Sequence, residues 1–337
     1  MNKHYLISII MPIYNAETYL SNTIESVIKQ SINFENIELI LVDDKSTDNS
    51  KKIIKNYATH YNNIKPIYLE KNTGFPGNVR NKGLETATGD YIMFIDSDDE
   101  YQIDMCEKLY ITLLENNCDC VKCNHIFINS SIKEKHVQNK NTPKIIILNP
   151  ENALKVFDSY VWNKIFKKSI ITKNNIKFVE NCVGEDTYFC IDYYIHSKSI
   201  IHLDNYYGYL YFNRDGSFST KKLKWILTII NDNSKQLPIL NEKTEIDLYD
   251  YFDPSFYIYS SMNLVENNWD SIIQVLNEIY LIEKKFKFNN NAKLTFIIRF
   301  INYFIIKNHL NIATLIILII NRLRNIKILL KIYKKLL

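Results

Sequence analysis

A chain of 337 residues that is 46% hydrophobic and 23% charged suits one enzyme-sized domain with an appendage and excludes a wholly disordered segment. The formal net charge of +4 hides a division, because the residues from Lys284 onward hold 12 Lys/Arg and no Asp or Glu, leaving 29 basic against 37 acidic residues before them. An acidic body excludes a general nucleic-acid-binding surface and leaves the tail alone to meet something anionic.

In chain order, Ser8–Ile13 is a short apolar strand, and Ala16–Gln30 places Tyr19, Leu20, Ile24, Val27 and Ile28 at helical spacing. Glu38–Val42 predicts a second strand, Asp48–Tyr57 a helix capped from Ser46, Thr47 or Asp48, and Ile64–Leu69 a third strand. Asn78–Ala87 then reads as a helix, Tyr91–Ile95 as a fourth strand, Gln102–Glu115 as a helix and Cys118–Ile128 as an alternating strand. Such alternation predicts an α/β protein with a Rossmann-like, mostly parallel sheet flanked by helices. Lys144–Leu148 and the aromatic Tyr206–Phe212 predict two more strands, and beyond Lys221 the pattern is helical. The expected division is a catalytic domain over residues 1–220 and a helical C-terminal region over 221–337.

Ligands of such sheets gather beyond the carboxyl ends of the strands. Those ends are polar here: Pro12-Ile13-Tyr14-Asn15, Asp43-Asp44-Lys45-Ser46 and Asp96-Ser97-Asp98-Asp99. Five acids at two strand ends repel one another unless a cation sits among them, which points to a divalent metal with an anionic ligand. Helix capping by Asp accounts for one or two of them. Only seven glycines occur, all in polar junctions, so each is expected to have a backbone role. Neither a G-x-G-x-x-G after the first strand nor a G-x-x-x-x-G-K-[ST] is present, which removes the main support for dinucleotide and P-loop readings.

Taken together, Ser8–Asn15, Val42–Asp48, Asn72-Thr73-Gly74 through Val79-Arg80-Asn81-Lys82-Gly83-Leu84, Asp96–Asp99 and Gly184-Glu185-Asp186 resemble, in order, the motifs of family 2 glycosyltransferases of GT-A fold. The resemblance covers about residues 5–220. It implies inverting transfer from a UDP-sugar to a hydroxyl of a glycan or lipid-linked acceptor, in bacterial surface polysaccharide synthesis. The donor would lie on Pro12, Tyr14, Asn15, Asp43, Asp44, Asn72, Arg80, Asp96 and Ser97, with Asp44 favoured for the uracil imide. Asp98, with Asp96, would hold Mn²⁺ or Mg²⁺ on the diphosphate, and Asp186 would be the general base for the acceptor hydroxyl. Glu185 and the Trp162-Asn163-Lys164 segment are implied beside the acceptor, Trp162 by stacking on a sugar ring or else as a buried core residue. Arg214, with Ser217 and Ser219, is implied as a diphosphate clamp. The alternative is a nucleotide-sugar-binding assembly partner without catalysis.

Six cysteines make no disulfide scaffold and the N-terminus lacks a signal-peptide layout, so a cytoplasmic chain with reduced thiols is expected. Cys118, Cys120 and Cys123 read as small half-buried strand residues rather than zinc ligands. The apolar stretch Leu310–Ile320 is about half the roughly 20 residues a bilayer span needs. From Asn321 to Leu337 the apolar Ile326, Leu329, Leu330, Tyr333 and Leu337 share one helical face opposite Arg324, Lys327, Lys331, Lys334 and Lys335. That pattern predicts peripheral contact with an anionic membrane, with docking on the body or a second subunit as the alternative.

Overall fold

The computed structural model describes residues 4–128, 142–156, 158–212, 222–248, 269–286, 301, 303–305 and 307–317. The chain divides into two compact units, Met1–Arg214 and Asp215–Leu337.

The first unit is built on a nine-stranded sheet. Its N-terminal half holds β1 (Ile7–Ile13), β2 (Ile37–Asp43), β3 (Ile64–Tyr68) and β4 (Tyr91–Phe94), in the spatial order β3-β2-β1-β4 and all parallel. All seven residues of β2 are buried, as expected of an isoleucine- and leucine-rich central strand covered on both faces. Between these strands run α1 (Leu20–Ile28), α2 (Ser50–His60) and α3 (Pro76–Thr86). The sheet continues through β5 (Glu100–Tyr101), β6 (Cys120–Ile128), β7 (Lys144–Leu148), β8 (Lys164–Lys167) and β9 (Ile200–Phe212). There β8 pairs antiparallel with β4 and β6, while β6 and β9 run parallel over a long register broken by a bulge near Asn124. The described residues of the unit also hold the α-helices α4 (Met105–Glu115), α5 (Pro150–Lys155), α6 (Lys168–Lys173) and α7 (Glu185–Ile195).

The first helix starts at Leu20 rather than Ala16 because residues 15–17 are tied to the next loop. Asn15 turns through a left-handed φ of 48°, and its N–H donates to Ser46 Oγ at 3.0 Å. Ala16 N–H donates to Ser50 Oγ and Glu17 N–H to Asp48 Oδ2, each at 2.9 Å. Those bonds brace the loops that follow β1 and β2 against each other. Strands β5 and β8 were not expected from the sequence, being two and four residues long with no alternation of their own.

The six cysteines are buried and free, and burial pushes the thiols of Cys123 and Cys190 up to about 12. In the second unit α8 (Lys222–Asn241) and α9 (Trp269–Phe286) contribute Ile230, Ile272, Val275, Leu276 and Ile279 to a core completed by Ile301, Ile305, Ala313 and Ile317. No helix among the described residues is long and apolar enough to cross a membrane. The basic segment 321–337 lies outside the described residues.

Candidate active site

The parallel register sets the carboxyl ends of β1, β2 and β4 side by side, with Ile13 opposite Asp43 and Ile10 opposite Phe94. Tyr14 leaves β1 with its side chain 52% exposed, a ring free to receive a planar ligand. Asn15 Oδ1 accepts from the Thr47 N–H at 2.8 Å, so this side chain holds the loop together. Asp43 is fully buried and accepts from the Ser46 N–H, with Lys51 Nζ 3.8 Å from its carboxylate. Asp44 accepts from Thr73 N–H at 2.8 Å, Thr73 Oγ1 at 3.1 Å and Gly74 N–H at 3.3 Å, and Asn72 Nδ2 donates to its carbonyl at 2.9 Å. Gly74 takes a φ of 73°, a left-handed turn that glycine allows without strain. Asp44 therefore orders the loop before α3, and a base imide would share acceptor oxygens that are already bonded.

The turn after β4 carries Asp96, Ser97 and Asp98 half-buried and Asp99 buried. The Ser97 carbonyl accepts from Thr23 Oγ1 at 3.0 Å. Asp99 accepts from the Tyr209 hydroxyl at 2.7 Å and the Phe212 N–H at 2.8 Å. Burial first, then the charges of Asp96 and Asp98, push the Asp99 carboxyl up to about 8. The turn thus clusters hard carboxylate oxygens, one of them on Asp96 already paired with Arg80, a donor set that fits a divalent ion completing its shell from a substrate diphosphate. Among the described residues no group of three His, Cys, Asp or Glu is arranged to hold an ion by itself.

Gly184, at a φ of 79°, caps the start of α7 and sets Glu185 and Asp186 in its first turn, where the helix N-terminus favours carboxylates. A Cβ on Gly77 would stand 2.7 Å from Cγ of Glu185, so the missing side chain is what lets α3 approach α7. Arg80, at 3% exposure, projects from α3 between the two acidic groups. Its Nη2 donates to Asp96 Oδ1 at 2.7 Å, and its Nη1 donates to Glu185 Oε1 at 2.9 Å and to Asp186 Oδ1 at 2.8 Å. Burial, opposed by Arg80, raises the carboxyls of both Glu185 and Asp186 above their usual range. Asp186 nonetheless keeps 21% of its side chain exposed, so a substrate hydroxyl can reach it. The expected contact of Arg80 with the nucleotide does not fit this arrangement, because the guanidinium is buried under three carboxylates.

Two acceptor expectations also change. Trp162 is buried with both faces covered, stacked on Tyr160 at 4.4 Å and on Tyr209 at 4.0 Å, so its plane offers no face to a sugar. Lys164 is fully buried and binds Asp158 and the Tyr160 carbonyl, with Asn163 Oδ1 at 2.8 Å. Lys122 joins the same carboxylate at 3.2 Å, and the two ammonium groups hold Asp158 down to about 2 against the effect of burial. This network ties the 158–164 segment to β6 and leaves Lys164 no proton for an acceptor. Asp158 gave no sequence signal, and Tyr209 was visible only as one tyrosine of an aromatic strand. Arg214, Ser217 and Ser219 lie outside the described residues.

A family model described as Glycosyl transferase family 2 matches residues 8–174. The chain is 30% identical over 286 residues to a cholesterol galactosyltransferase of Borreliella burgdorferi, covering 77% of this chain and 76% of that protein. It is 32% identical over 216 residues to a poly(ribitol-phosphate) beta-glucosyltransferase of Bacillus spizizenii, covering 62% of this chain. The chain spans only 33% of that relative's length. A crystal structure of S. aureus TarS 1–349 in complex with UDP-GlcNAc superposes with a TM-score of 0.65 at 19% identity, over 92% of this chain and 90% of that one. At this identity the likeness is one of fold.

Proposed function

The chain belongs to glycosyl transferase family 2, and from that premise we propose that it moves a sugar from a UDP-sugar to a hydroxyl of a glycan or lipid-linked acceptor, with inversion, in the building of a bacterial surface polymer. The observation that carries this reading is the meeting of the Asp96 turn and the Glu185-Asp186 pair on one guanidinium. Asp96 of the β4 turn and the partly exposed Asp186 carboxylate are thereby held on one side chain, close enough to serve the two sides of one anomeric carbon. Relatives named as glucosyl- and galactosyltransferases, and a fold neighbour that binds UDP-GlcNAc, support a UDP-sugar donor.

In this reading Pro12 and Tyr14 flank the base, and Asp43 and Asp44 floor the nucleotide pocket through the loops they order. Asp98 and Asp96 would hold Mn²⁺ or Mg²⁺ beside the diphosphate, where the ion would neutralise charge on departing UDP. Asp186 takes the proton as the acceptor oxygen bonds to the anomeric carbon from the face opposite UDP. The bond from that carbon to the UDP oxygen breaks in the same step, which inverts the centre. A carboxylate suffices because the hydroxyl loses its proton only as the new bond forms.

The test is UDP release from UDP-glucose, UDP-galactose and UDP-N-acetylglucosamine, with EDTA and then with Mn²⁺ or Mg²⁺ restored. Release that stops in EDTA and returns with the ion is expected. Full release in chelator removes the metal from the proposal, and no release or binding with any of the three donors removes the donor class.

A further inference from the structure

Arg80 makes more of its surroundings than a general cation would. One guanidinium reaches an acid of the β4 turn through Nη2 and both acids of the α7 first turn through Nη1, at 2.7 to 2.9 Å. Its plane is supported by the Phe178 ring, 5.5 Å away, which itself stacks on Phe189 at 4.2 Å. Nε is buried without a partner, so the side chain accepts an unsatisfied donor in order to place its two terminal nitrogens where they are. The bond to Asp186 uses Oδ1, and no hydrogen bond from a described residue reaches Oδ2. Holding one carboxylate oxygen fixes the rotation of the group and so the direction in which the other oxygen points.

We propose that Arg80 is a positioning residue for the reaction: it clamps Oδ1 of Asp186 so that Oδ2 faces the acceptor hydroxyl, and it ties that base at a fixed separation from Asp96 on the donor side. The inference rests on Asp186 being the base. A planar fork is required because two different nitrogens must reach two different chain segments at once. The single ammonium of a lysine can serve one of them. A base displaced by about 1 Å loses on the order of 100-fold in rate, so the effect belongs to turnover more than to donor binding.

Arg80→Lys, Asp186→Asn and the double variant are compared by UDP release from the best of the three donors, with UDP binding followed by calorimetry and folding by circular dichroism. Arg80→Lys is expected to lose about 100-fold in kcat while its Kd for UDP stays within about threefold, about 0.7 kcal/mol. In the Asp186→Asn background the same lysine should cost almost nothing further, because a residue acting through the base has nothing left to position. Arg80→Ala, if it folds, should recover activity in added methylguanidinium, whereas Asp186→Asn should not. Wild-type kcat in Arg80→Lys, or full additivity of the two losses, overturns the proposal. If Asp186→Asn itself keeps full activity, the base assignment has failed and the proposal fails with it.

Discussion

At the scale of the residue, the chemistry of the site is decided by what each carboxylate is bonded to. Asp44, Asp99 and Asp186 are all aspartates beyond strands or at a helix start, yet Asp44 orders a loop, Asp99 binds Tyr209, and Asp186 retains an open oxygen. Replacing Asp186 by Asn keeps size and polarity but removes the proton acceptor. Transfer should fall by roughly 10²–10⁴-fold, with UDP affinity nearly unchanged by calorimetry, and equal loss of both would mean a structural role. Because burial raises the Asp186 carboxyl, the group is protonated, and idle as a base, over more of the acid range than an ordinary aspartate. The acid limb of the kcat/KM profile should therefore lie above the usual carboxylate range near pH 4. A profile flat from pH 8 down to pH 5 contradicts the assignment.

At the scale of the element, close approach of helix to sheet is what brings these residues together. Arg80 can span from β4 to α7 only because α3 lies tight on β1. Gly83 provides that fit, since a Cβ there would overlap Cγ2 of Ile10 in the buried middle of β1. Gly83→Ala is expected to cost about 1–3 kcal/mol of stability in urea unfolding through overpacking, with transfer reduced as α3 is pushed outward. Unchanged stability and unchanged kcat would show that the contact relaxes freely. The same scale explains the acceptor-side revisions. A tryptophan between two tyrosines and a lysine locked on Asp158 are packing solutions, and the short motif Trp162-Asn163-Lys164 carries no sign of which face its neighbours will cover.

At the scale of the whole molecule, the residues proposed for catalysis, Asp96, Asp98 and Asp186, lie within the unit Met1–Arg214, while the basic residues from Lys284 onward belong to the other. The basic tail is proposed as a peripheral contact with an anionic bilayer, where each Lys or Arg near the surface is worth about 1 kcal/mol. Full-length protein should co-sediment with vesicles containing anionic lipid at low salt, lose that binding at high salt, and ignore neutral vesicles. Failure to bind anionic vesicles at low salt would return the tail to a packing role.

What the sequence determined by itself was whatever short-range pattern controls: alternating strands and helices, acids at strand ends, glycines at junctions, and the order of motifs that marks the family. Asp96 and Asp98 stood out because carboxylates are costly beside one another and are rarely placed so without a reason, and Asp186 because Gly184-Glu185-Asp186 resembles a motif of the family. Tertiary structure alone decided which of those acids share a cation, since Arg80 and Asp186 are 106 positions apart and their pairing depends on how α3 and α7 pack. It also decided the antiparallel strand β8, which follows from pairing with β4 and β6 rather than from its own four residues. Burial and hydrogen-bond partners are long-range properties, and they turned Trp162 and Lys164 inward and Arg80 from a nucleotide contact into the link between two acidic groups.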